Sequence, residues 1–191
     1  MTPRTETEAS KQNPMRQIRI EKVTVNIAVG KSGEPLEKAK KVLQQITGQA
    51  PAARNAKRTV KDWGIRKGEP ISCLVTLRRE KSHPFLRRAM EAVGNRLPES
   101  CFDEHGNFAF GVKEHIEIPG TKYVPELGIF GMDVNVTLER PGYRIKRRAI
   151  RTSRLGDRHI VTKQEAIEFA ANVLHANIVT EGATVGETET K

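Results

Sequence analysis

Apolar side chains recur at two different spacings along this chain, and the switches between them mark out its elements. Val23, Val25, Ile27 and Val29 alternate with Thr24, Asn26 and Ala28, the two-residue period of a strand with one apolar face. Ile18 and Ile20 keep the opposite parity, which predicts a bulge or break near Glu21-Lys22. Gly30 to Gly33 reads as a turn. Leu36, Ala39, Val42, Leu43 and Ile46 then follow a helical period, with Pro35 in the first turn and Gly48 placed to end it. Ile71, Cys73, Val75 and Leu77 return to strand alternation. A second helix is expected from Pro84, capped by Ser82 or His83, with Leu86, Met90, Val93 and Leu97 inward and Pro98 as its stop. After a turn at Asp103 to Asn107, Phe108, Phe110 and Val112 alternate. His115 to Ile118 reads as a short strand, and Pro119 to Gly131 as a long irregular connection. Met132, Val134, Val136 and Leu138 make a further strand whose other face is Asp133, Asn135, Thr137 and Glu139, so that side meets solvent or a polar partner. Thr162-Lys163-Gln164-Glu165 has the form of a capping box, opening a last helix buried through Ala166, Ile167, Ala170, Val173 and Leu174.

The order strand, helix, strand, helix, several strands, helix predicts an α+β fold. Its sheet is antiparallel or mixed, helices pack on one face, the polar face stays open, and long basic loops project. No internal repeat interrupts this order. A chain of 191 residues is long enough to bury a core and suggests one domain. We place that domain at 15–179, with a basic extension at 140–158, between a disordered arm at 1–14 and a flexible acidic tail at 180–191.

Charge sharpens the picture. Lys and Arg number 33 against 23 Asp and Glu, a net charge of +10, and the excess sits in the middle of the chain. From Arg140 to Arg158 there are eight basic residues, seven of them Arg, against Asp157 alone. Arg54, Lys57, Arg58, Lys61, Arg66 and Lys67 form a second block against Asp62. Such blocks repel themselves unless a dense anion lies alongside, and guanidinium forks match phosphate oxygens. A single run of four or five charges would read as a solvated surface; two blocks of this density point to nucleic acid. No apolar stretch approaches the length of a spanning helix and no apolar leader opens the chain, so no membrane partner is expected. Cys73 and Cys101 read as two reduced, buried thiols in a cytoplasmic protein. The five His show no ligand spacing, and neither a metal nor a cofactor is expected.

Candidate chemistry is thin. Gly30-Lys31-Ser32 lies between a strand and a helix, where a phosphate-binding loop would sit. The glycine such a loop needs five positions earlier is Val25, so a surface turn with Lys31 free to touch a phosphate is the better reading. No nucleophile elbow, paired-carboxylate motif or zinc-deaminase pattern appears, and the chain reads as a non-enzyme. Gly106 to Val112 partly matches the aromatic strand of RNA-recognition-motif domains, yet its basic start is missing, and core burial of Phe108 and Phe110 is favoured. With aromatics at only 5%, a binder of phosphate, sugar and shape fits better than one built on stacking platforms. Trp63, the only Trp, lies in the basic loop; packing that anchors the loop and contact with a nucleotide or sugar both suit it.

Several blocks in order resemble the large-subunit ribosomal protein L-five family. They are Ile20 to Gly30, Ile46 to Pro51 and Gly68 to Arg78, followed by Phe102-Asp103 with Gly106-Asn107, Gly111 to Glu114 and Gly131 to Val134. The match spans about Arg16 to Val179, and the extension from Arg140 with the Thr162 helix resembles the archaeal and eukaryotic branch. The resemblance implies a component of the central protuberance that binds 5S rRNA and contacts large-subunit rRNA and neighbouring protuberance proteins. It also implies a loop, here Lys61 to Pro70, that approaches P-site tRNA, and a contact with small-subunit protein S-thirteen. By motif, Asn26, Gln49 and Thr76 fall on the 5S rRNA side, with Lys31, Arg54 and Lys57 beside them. Lys61, Trp63, Arg66 and Lys67 belong to the tRNA-facing loop. Arg54 stands where members commonly carry a small hydroxyl residue. The extension has no bacterial counterpart, so rRNA contacts at Arg144, Lys146, Arg147, Arg148, Arg151 and Arg154 are inferred from charge alone.

The expectation is a cytoplasmic, non-enzymatic ribosomal protein. Its rivals are an RNA-binding module acting outside the ribosome, separated by sedimentation with large subunits, and an RNA-modifying or nucleotide-using enzyme, revealed by a nucleotide-induced rise in melting temperature.

Overall fold

The computed structural model describes residues 13–179, so residues 1–12 of the expected 1–14 arm and the tail from residue 180 lie outside the described residues, while Asn13 and Pro14 belong to a 3-10 turn (Pro14–Arg16) in which Asn13 Oδ1 accepts the Met15 N–H at 2.9 Å. Alternation of β-branched residues builds the centre. Strand β1 (Arg19–Ala28) buries Val23, Val25 and Ile27. It pairs antiparallel with β3 (Pro70–Arg78) on one side and β6 (Met132–Glu139) on the other. Strands β2 (Ala52–Asn55) and β5 (Phe108–Val112) complete a five-stranded antiparallel sheet ordered β2-β3-β1-β6-β5. The expected parity change is a bulge: pairing with β6 shifts register between Ile20 and Lys22.

One face of this sheet is covered. Helix α1 (Glu34–Thr47) lays Leu36, Ala39, Val42, Leu43 and Ile46 against it and ends at Gly48, whose φ of 64° few other residues adopt cheaply. Helix α2 (Ser82–Ala92) adds Phe85, Leu86, Ala89 and Met90. Its boundaries differ from those expected. It follows a 3-10 turn at Arg79–Lys81, and Ser82, instead of capping, is buried in the first turn with its hydroxyl donating to Arg79 O at 2.6 Å. It ends at Ala92 because Gly94 and Asn95 take φ of 68° and 56°, turning the chain out of the helix. Leu97, read as the last turn of this helix, is therefore buried from a separate strand, β4 (Arg96–Pro98), paired in parallel with β7 (Asn177–Val179).

His115–Glu117 forms a 3-10 turn in place of the expected strand. The turn closes through Glu117 N–H to Glu114 O at 3.2 Å and Ile118 N–H to His115 O at 3.4 Å, and it is pinned from 15 positions away: His115 is buried, its backbone N–H donates to Phe130 O at 3.0 Å, and its Nδ1 accepts the Phe130 N–H at 3.3 Å. Burial holds this imidazole below its ordinary pKa. Residues 119–131 carry no helix or strand, as expected. A helical turn, α3 (Arg144–Arg147), sits within the basic extension, and α4 (Lys163–Leu174) opens on a complete capping box. Ala166, Ala170 and Leu174 are its buried stripe; Val173, expected inside, is exposed. Cys73 is in the core and Cys101 half-buried, both unpaired, with burial pushing each thiol up. No helix among the described residues is long and apolar enough to cross a membrane.

Candidate nucleic-acid interface

The uncovered face of the sheet follows from the same alternation. Residues between the buried ones point away from α1 and α2, and register sets them in rows. Thr24 lies opposite Thr76 of β3 and Asn135 of β6; Asn26 lies opposite Leu74 and Asp133. Asn26 and Thr76 are thus diagonal neighbours within reach of one ligand. At the β2 edge Arg54 pairs with Ser72, which turns its guanidinium toward this same face. Thr24, Asn26 and Thr76 are half-buried, while Asn135 and Arg54 are exposed. Phe108 and Phe110 face the core, so no ring from β5 is available for stacking on this side. What remains is a floor of short hydroxyls and amides around one apolar side chain, Leu74, and one carboxylate, Asp133, with groups that can hydrogen-bond sugar hydroxyls and base edges.

Beyond β2 the chain makes an extended hairpin. Ala56 N–H donates to Glu69 O at 2.8 Å and Gly68 N–H to Ala56 O at 2.9 Å, and further out Val60 and Ile65 bridge. The tip closes where Gly64 N–H reaches Lys61 O at 3.0 Å. Trp63 sits on that tip at 74% exposure, so it does not anchor the loop by packing. Lys57, Lys61, Arg66 and Lys67 are likewise exposed. The hairpin base is tied to the first turn, for Ser32 Oγ donates to Glu69 Oε1 at 2.5 Å, and this hydroxyl, then the Arg66 N–H, holds the Glu69 carboxyl below its ordinary pKa. Lys31 comes next to the hairpin base through that contact. Gln49, exposed after Gly48, leads directly into β2.

The extension sorts its own cations. Arg140 is buried and donates to Glu165 at 2.5 Å and to Arg158 O at 3.4 Å. Arg147 binds two carboxylates, Glu139 at 2.8 Å and Glu21. Burial raises the Glu139 pKa, opposed by the charges of Arg19, Lys22, Arg78 and Lys146. Arg144, Lys146, Arg148, Arg151 and Arg154 are exposed. Charge density alone gave all of these arginines the same role. Arg140 and Arg147 are instead held by internal acids, and the pairing of Glu165 with the first and of Glu21 and Glu139 with the second is what the sequence did not show. Glu21 and Arg147 are 126 positions apart, so no local spacing could have joined them. The Tyr143 hydroxyl accepts Val161 N–H at 3.0 Å and lies 3.4 Å from His159 O, and His159 Nε2 meets Pro141 O at 2.8 Å, fastening the start of the extension to its end.

Comparison with known proteins gives consistent matches. A family model described as "Ribosomal protein L5" matches residues 13–66, and a second, describing the C-terminus of the same ribosomal family, matches residues 70–169. A large ribosomal subunit protein uL5 of Pyrobaculum aerophilum is 54% identical over 168 residues, covering 88% of this chain and 94% of the relative. The uL5 of Sulfurisphaera tokodaii is 52% identical, covering 87% and 95%. That of Nitrosopumilus maritimus is 49% identical, covering 83% and 91%.

Proposed function

This chain belongs to the ribosomal protein L5 family, and from that premise we propose that its polar sheet face docks on 5S rRNA and attaches it to the large subunit. As a member of the family it is a structural constituent of the large ribosomal subunit and works in the ribosome. The observation that carries the finer reading is the uncovered sheet face, where Asn26, Thr76, Thr24 and Asn135 are set in register and Arg54 stands at one edge. Docking then needs no chemistry. A rigid floor of short polar groups reads sugar and base edges, while Lys31, Gln49, Lys57 and the hairpin add contacts from one side.

The hairpin tip, with Lys61, Trp63, Arg66 and Lys67, approaches P-site tRNA. The exposed cations of the extension, Arg144, Lys146, Arg148, Arg151 and Arg154, meet large-subunit rRNA, with Arg147 serving first to hold the segment in place. Residues 15–179 act as one RNA-binding unit within the central protuberance, beside its other proteins, with a contact to small-subunit protein S-thirteen.

The direct test is the double substitution Asn26→Ala with Thr76→Ala, assayed by filter binding to 5S rRNA. Each lost hydrogen bond is worth about 0.5–1.5 kcal/mol, so affinity should fall about five- to a hundredfold with the melting temperature unchanged. Wild-type affinity in the folded double variant would show that a different surface holds the RNA.

A further inference from the structure

The extension does not lie flat on the sheet. Between it and the ends of β1 and β6 is a cleft of about 850 Å3, within the size range of sites that hold small ligands. It borders the polar face: Thr137 lines it, pairs with Lys22, and stands two residues from Asn135 on the same side of β6.

Tyr143 and His105 bring two flat rings to the lining, the first fixed by its hydroxyl bond to Val161 N–H. Asn107, Ser153 and Asp157 supply an amide, a hydroxyl and a carboxylate for hydrogen bonding. Lys22, Lys146 and Arg154 complete the lining as cations. Glu21 and Glu139 also line the cleft, but both are ion-paired to Arg147. The lining therefore counts four cations, Lys22, Lys146, Arg147 and Arg154, against Glu21, Glu139 and Asp157, an excess of one that Arg78 enlarges by sharing Glu21 from outside at 3.3 Å, with acceptors that disfavour a bare phosphate inside. Rings for stacking, acceptors for exocyclic amino groups and cations for the flanking phosphates together describe a nucleotide site.

We propose that the cleft beneath the 140–158 extension captures one unstacked nucleotide of the 5S rRNA that lies on the polar sheet face. The base enters between the extension and the sheet, and the phosphates on either side of it stay with Lys22, Lys146 and Arg154. The inference rests on the 5S rRNA reading, which places an RNA on the adjoining face.

Two exposed lining positions allow the cleft to be filled without touching the core, by Ser153→Trp and, independently, Thr152→Trp. The intact protein and each variant are bound to 5S rRNA, and affinity and 2′-hydroxyl acylation along the RNA are measured. Wild-type protein should protect an unpaired nucleotide that both filled variants leave reactive, with affinity reduced tenfold or more at unchanged melting temperature. Folded variants with wild-type affinity and protection would overturn the cleft. Assayed in parallel, Asn26→Ala with Thr76→Ala separates the two claims. Loss in that variant with none in the filled ones discards the cleft and keeps the docking face. Loss only in the filled variants keeps the cleft and discards the face, and no loss in any of them discards both.

Discussion

Arg147 touches two carboxylates at once, and the three groups differ in how much water they keep. Arg147 is 49% exposed, whereas the side chains of Glu139 and Glu21 are only 7% and 11% exposed. Glu21 retains Arg78 at 3.3 Å if Arg147 is removed, but Glu139 has no second ion pair among the described residues. Removing the guanidinium therefore leaves a nearly buried carboxylate unpaired, which costs more than the net gain of the pair. Discounting for the exposed side of Arg147, Arg147→Ala should cost about 1–3 kcal/mol in urea unfolding. Adding Glu139→Gln should recover part of that loss, because a neutral amide is cheaper to leave alone. By contrast, Arg144→Ala or Arg151→Ala should move the unfolding free energy by no more than about 0.5 kcal/mol, since both are exposed. An equal effect at all three arginines would undo the distinction between structural and outward-facing cations.

Helix α4 shows how an element can take on a second duty. Its capping box satisfies the first turn, with Thr162 N–H donating to Glu165 Oε2 at 3.1 Å and Glu165 N–H to Thr162 Oγ1 at 3.5 Å. The other oxygen of Glu165 holds buried Arg140. Thr162→Ala removes only a cap, a cost of about 1 kcal/mol. Glu165→Ala removes half the cap and strands a buried guanidinium, so its loss in thermal unfolding should exceed that of Thr162→Ala by at least about 1 kcal/mol. A ranking in the reverse order would mean that Arg140 finds water once its partner has gone. The box was legible in the four residues Thr162 to Glu165 because both of its bonds are local. Its tie to Arg140 was not, because it spans 25 positions. The same division explains α2. Leu97 continues the apolar spacing of Leu86 and Met90, yet the left-handed backbone at Gly94 and Asn95 breaks the helix before it arrives.

For the whole molecule, the net charge of +10 is arranged rather than spread. Exposed cations gather on the hairpin (Lys57, Lys61, Arg66, Lys67) and on the extension (Arg144, Lys146, Arg148, Arg151, Arg154), and both segments protrude from a sheet whose open face is nearly neutral. A partner held this way releases counterions wherever a phosphate is neutralised. With six or more such contacts, affinity for 5S rRNA should fall roughly a thousandfold or more over a fourfold rise in salt, on the duplex-DNA slope of about −0.9 per phosphate. A filter-binding series with a slope near zero would mean that the cations are not at the interface. The alternation in β1, β3 and β6 already separated this neutral floor from the core, and the ordered blocks from Ile20 to Val134 resembled the family to which the chain belongs.

By itself, the sequence determined the periods, the cap, the bulge and the charge blocks. Each is set by interactions between residues a few positions apart or by composition, and such terms can be read along a line. Tertiary structure alone decided which acids quiet Arg140 and Arg147, that β4 pairs with β7, and that a cleft opens under the extension. Those features depend on which distant segments meet, and the close approach of a buried carboxylate to one guanidinium among seven is a matter of geometry that no one-dimensional pattern carries.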